Sequence, residues 1–80
     1  MDNNVIHYEL MNNIFDELNK YRKYDEGFTY SELIDVIKRY NQIKFSQFEN
    51  YLFKNQTVFV NGTQIFHDAD VRKCLLNSIR

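Results

Sequence analysis

Eighty residues make a single domain, near the small end of what folds alone. With 44% apolar and 16% aromatic residues, among them seven Phe and six Tyr, the chain carries enough apolar surface for a compact core, and a disordered tail is not expected. The formal net charge is −1, so a strongly charged partner would have to be held by a local patch rather than by the chain as a whole.

From Asn4 to about Tyr24 there is neither Gly nor Pro. Leu10, Met11, Ile14, Leu18 and Tyr21 fall on one stripe at helical spacing, widened by Ile6 and Phe15. Glu9, Asn12, Asp16, Lys20 and Lys23 occupy the opposite face. A long first helix is expected here, broken by Asp25-Glu26-Gly27 with Gly27 as a left-handed stop. Thr29-x-x-Glu32 then reads as a capping box, since the hydroxyl and the carboxylate can each satisfy a first-turn amide. It opens a second helix over about residues 30–40, with Tyr30, Leu33, Ile34 and Ile37 inward and Glu32, Asp35, Lys38 and Arg39 outward.

Residues 41–45 form a turn, and Ser46-x-x-Glu49 repeats the box signature. A third helix is expected over about residues 47–55. Phe48 and Leu52, with Phe45 before them, make its core edge, and Gln47, Asn50, Tyr51 and Lys54 project from the other side. Two β-prone runs follow, joined by Asn61-Gly62, a pair that tolerates the two positive φ values of a tight hairpin turn. The loop length sets Val60 opposite Thr63, Phe59 opposite Gln64, Val58 opposite Ile65 and Thr57 opposite Phe66. Val58, Val60 and Ile65 then share the core face, leaving Phe59 and Phe66 diagonally together on the outer one. Asp68 is expected to cap a last helix over about residues 69–79, with Val71, Leu75 and Ile79 inward and Cys74 a small buried hydrophobe.

This order, helix, helix, helix, hairpin, helix, resembles the winged helix-turn-helix superfamily across nearly the whole chain. Gly27-Phe28 stands where that fold often has a short first strand pairing with the hairpin. The resemblance implies a mainly α domain with a small β-hairpin, a recognition helix at residues 47–55 and a wing tip at Asn61-Gly62. It further implies that the recognition helix enters the major groove of DNA while the wing touches backbone or minor groove. The likeness is one of architecture. Where many helix-turn-helix units carry a small residue and a turn Gly, this chain has Ile34-Asp35 and Tyr40-Asn41-Gln42.

Within that frame Gln47, Asn50, Tyr51 and Lys54 form the expected DNA-binding face. Asn and Gln can pair bidentately with adenine, and Lys donates to guanine or phosphate. Lys38, Arg39 and Lys44 are expected on phosphates. Residues 1–37 carry a net −5, residues 38–56 a net +3 and residues 57–80 a net +1. The positive segment thus coincides with the turn and the third helix, an asymmetry that would steer a duplex to that side. Four local cations hold DNA weakly, so the reading depends on a homodimer that doubles the footprint. Phe15, Phe59, Phe66 and Leu76 are the candidates for a protein interface.

No P-loop, Gly-rich dinucleotide turn, Gx-Ser-x-Gly elbow or zinc-spaced Cys/His set is present, so neither an enzyme nor a cofactor is expected. His67-Asp68-x-Asp70 reads as helix-start acid residues rather than metal ligands. Cys74, the single cysteine, excludes an internal disulfide and fits a reducing compartment. Without a basic, then apolar, start or any apolar run near the roughly 20 residues that span a bilayer, a cytoplasmic protein with no membrane partner is expected. The wealth of Asn, Ile, Lys, Tyr and Phe suggests an AT-rich genome such as a phage, plasmid or low-GC bacterium has. Two functions follow: a small sequence-specific DNA-binding regulator of transcription or replication, or a protein-binding module such as a phage-encoded inhibitor of a host protein.

Overall fold

The protein, seen as a computed structural model, is described over residues 3–80. Four helices and one hairpin follow in order: α1 (Asn3–Lys20), α2 (Tyr30–Ile37), α3 (Phe45–Leu52), β1 (Val58–Val60), β2 (Thr63–Ile65) and α4 (Asp68–Leu76). The expectation of a mainly helical domain with one small antiparallel hairpin is met. No helix among the described residues is long and apolar enough to cross a membrane.

The core begins one turn further into α1 than the apolar stripe suggests. Met11, Ile14, Phe15 and Leu18 are buried, while Ile6 and Tyr21, at the two ends of the stripe, are about half exposed. The helix also stops at Lys20, short of Tyr24. Tyr21 and Arg22 donate to carbonyls three residues back, and the Arg22 guanidinium folds onto the Asn19 carboxamide, the Tyr24 carbonyl and the Asp68 carboxylate. Gly27 does not stop a helix, and it has no positive φ. A Cβ at that position would lie 2.0 Å from the Phe66 carbonyl oxygen, so the small residue allows the chain to cross the hairpin's end. Phe28 and Phe66 exchange both backbone bonds there, at 2.9 and 2.8 Å. One bridge thus stands where a short first strand is expected.

Thr29 caps α2 as its sequence signature implies. Its hydroxyl accepts from the Glu32 amide at 3.2 Å, and the Glu32 carboxylate accepts from the Thr29 amide at 2.8 Å. Glu32 is nevertheless buried rather than outward, because its second oxygen takes the Lys23 amide at 3.2 Å. Val36 joins Leu33 and Ile37 in the core in place of Ile34, which is only partly covered, as is Tyr30.

The second box does not form. α3 starts at Phe45, its N-cap is Lys44 and no side chain caps it. Glu49 instead accepts from the Tyr30 hydroxyl, which joins α3 to the start of α2. The hairpin register is the expected one, Val58↔Ile65, Phe59↔Gln64 and Val60↔Thr63, and Asn61 and Gly62 take φ of 52° and 80°. Its faces differ from expectation. Ile65 is inside, but Val58 is exposed, and Phe66 is buried beneath Phe53 at a ring separation of 5.8 Å instead of lying outside with Phe59. The bridge to Phe28 pulls the end of β2 into the core. Asp68 is the first residue of α4 rather than its cap. The N-cap is His67, without a side-chain bond, and Asp68 serves the Arg22 ion pair at 2.6 Å.

α4 packs on both α1 and α3, and α1 also packs on α2. Val71, Cys74 and Leu75 are buried, with Leu76 and Ile79 partly covered against the same core. Beyond the helix the chain runs antiparallel to the α2–α3 turn. The Lys44 amide donates to the Ser78 carbonyl at 2.7 Å, the Arg80 amide to the Gln42 carbonyl at 2.8 Å, and Ile43 and Ile79 pair between them.

Candidate nucleic-acid interface

The third helix presents a mixed outer face whose residues are not equally free. Asn50 and Lys54 are exposed and Tyr51 is about one-third exposed. The Lys54 ammonium lies 5.5 Å from the Tyr51 ring centre, so the ring orients the charge at modest cost in entropy. Asn55 closes the end of the helix by donating to the Tyr51 carbonyl at 3.0 Å. Gln47 is different. Its amide donates to the Asn77 carbonyl at 2.8 Å, so the group expected to read a base already holds α4's end against α3.

The expected phosphate contacts also separate. Lys44 is exposed at the start of α3, and Lys38 is exposed with its ammonium 5.0 Å from the Phe45 ring centre. Arg39 is paired with Glu17 at 3.1 Å, an exposed pair that offsets part of its charge. Asn61 and Gly62 sit exposed at the hairpin tip. Of the four candidates for a protein interface, Phe15 and Phe66 are core residues and Leu76 is partly covered, while Phe59 stands 68% exposed. The Arg72 guanidinium covers the Phe15 ring at 4.5 Å.

Two cations that sequence reasoning left out complete the surface. Lys73 shares a hollow of about 210 Å³ with Lys54, Tyr51 and Asn77. Arg80 shares a larger one, about 510 Å³, with Lys38, Tyr40 and Asn41. Asn77 lines the smaller hollow and Arg80 the larger, the first and last residues of the segment that follows α4. Lys38 and Arg80 line the larger hollow, Lys73 and Lys54 the smaller, and Lys44 is bonded through its backbone amide to Ser78; these five cations are the track. Among the described residues none of the five has a carboxylate within 4.0 Å; the ion pairs there use Lys20, Arg22 and Arg39. The only hint in the sequence is the +1 of residues 57–80, too diffuse to locate, because the tail's pairing with the turn spans more than 30 residues.

Two titrating groups, Cys74 and Tyr40, line these hollows, and a third, Tyr30, bonds Glu49 on α3. Burial is the main cause of a raised Cys74 thiol, with Asn55 opposing it, and burial also raises the Tyr40 phenol, helped by Glu17. The hydrogen bond to Glu49 raises Tyr30. All three are neutral near pH 7 and leave the track's charge positive. No family model, curated protein or solved structure matches the chain.

Proposed function

We propose that the protein is a small double-stranded DNA-binding regulator on a winged-helix plan, acting as a homodimer in transcriptional or replication control. The observation that carries this reading is the set of five cations, Lys38, Lys44, Lys54, Lys73 and Arg80, none of them ion-paired among the described residues. In the winged-helix arrangement Asn50, Tyr51 and Lys54 face the groove, Lys38, Lys44 and Lys73 lie on phosphates, and Asn61-Gly62 is the wing tip. Gln47 contributes by holding the helix in place.

Five cations neutralise few phosphates, so a second copy supplies the rest of the footprint. Val5, Ile6 and Tyr8, about half exposed on the first turns of α1 ahead of the core, are the surface for it. Light scattering is expected to give a dimer that Ile6→Lys converts to a monomer.

The deciding experiment is titration against a mixed-sequence duplex at several salt concentrations. Binding with a steep salt slope is expected, and Lys54→Ala or Lys73→Ala should each reduce that slope by about one. A dimeric chain that ignores the duplex at low salt ends the reading.

A protein-binding module, such as an inhibitor of a host protein, is the second reading. It is favoured by the outer rings of Phe59, 68% exposed, and Phe53, 53% exposed. Under it, duplex binding is absent and Phe59→Ser abolishes the partner contact with the fold intact.

A further inference from the structure

The larger hollow draws on residues 78–80 as well as on the α2–α3 turn. The antiparallel pairing of residues 42–44 with residues 78–80 brings Arg80 beside Lys38, 42 residues earlier in sequence. Two cationic residues then line one recess of about 510 Å³, together with Tyr40, Asn41 and the apolar Ile37, Ile43 and Phe45. Lys38 is steered there by the Phe45 ring.

We infer that this recess is a binding site for a phosphodiester group, with Arg80 as its anchor and Lys38 as its second charge. The inference rests on the DNA reading above and assigns the C-terminal segment a share of the contact. The physical reasons are three. A guanidinium donates two parallel N–H bonds to two phosphate oxygens, which a lone ammonium cannot do. The apolar part of the lining excludes water and strengthens those bonds. Backbone pairing fixes the Cα of Arg80, so less entropy is lost on binding than at a free end. Asp16 and Glu17 approach Tyr40 from α1, but Glu17 is engaged by Arg39 and neither borders the recess.

The test uses the full chain, its Arg80→Gln and Arg80→Lys variants, and Lys23→Gln as an exposed control outside the track. Circular dichroism first checks that all four fold. On a mixed-sequence duplex, Arg80→Gln is expected to lower the salt slope by about one and the affinity several-fold, Arg80→Lys to restore the slope, and Lys23→Gln to change neither. If wild type binds duplex and Arg80→Gln behaves identically, the recess is not a phosphate site, while the DNA reading stands. If wild type does not bind duplex, that reading falls, and titration with inorganic phosphate decides the recess. Backbone amide shifts at residues 38–44 and 78–80 that vanish in Arg80→Gln retain an anion site; their absence in wild type overturns it.

Discussion

Gly27 illustrates how one residue's role can be misjudged from its neighbours. Following a helix and two acidic residues, it has the local context of a left-handed stop, yet its φ is not positive. What fixes it is a partner 39 residues away, the Phe66 carbonyl, 2.0 Å from where a Cβ would be. Gly27→Ala should therefore open the Phe28–Phe66 bridge, lose two backbone bonds and disturb both rings, at a cost of about 2–4 kcal/mol. Thermal unfolding followed by circular dichroism should show a midpoint roughly 10–25 °C lower. Gly62→Ala provides the contrast. Gly62 has φ +80° but open space around it, so the change costs only about 1 kcal/mol. Equal effects at the two glycines would contradict this account. Glu32 follows the same logic: its capping role is written in the local spacing, but its burial comes from the Lys23 amide, which no helical period encodes.

Among elements, those defined by short-range chemistry were legible. The Thr29 box, the Asn61-Gly62 turn and the hairpin register need only residues within ten of each other, and all three form. Ser46-x-x-Glu49 has the same spelling as the first box and does not form one, since Tyr30 holds Glu49 and the chain turns into helix at Phe45. The pairing of residues 78–80 with the α2–α3 turn was not legible, because nothing in Ser78-Ile79-Arg80 distinguishes a helix end from a strand. That pairing also secures the buried Ser78 hydroxyl, which donates to the Cys74 carbonyl at 2.6 Å. Deleting residues 78–80 should cost about 2–3 kcal/mol from two backbone bonds and the Ile79 contact. Hydrogen exchange gives the sharper check. The Lys44 amide, now bonded at 2.7 Å, should exchange far faster after deletion, while the Phe28 amide should rise only by the global loss of stability.

On the scale of the whole molecule, three neutral acids shape how stability responds to pH. Burial raises the Cys74 thiol above its ordinary 9.0, burial raises the Tyr40 phenol above 10.0, and the bond to Glu49 raises Tyr30 above the same value. In each case the folded state holds its proton more tightly than the unfolded chain does. Their contribution is therefore complete below the unfolded values and is lost as pH rises through the raised folded ones. A domain of this size has only about 4–12 kcal/mol in total, so a loss of even one or two is a large share of it. Urea midpoints should stay level from pH 7 to about 8.5 as far as these groups are concerned, then fall above about 9 as the unfolded thiol ionises first. Cys74→Val, close in volume, should delay the onset to about 10, where the phenols begin. A midpoint that climbs between pH 9 and 10, or an onset unmoved in Cys74→Val, would show that the thiol ionises as readily in the fold as outside it.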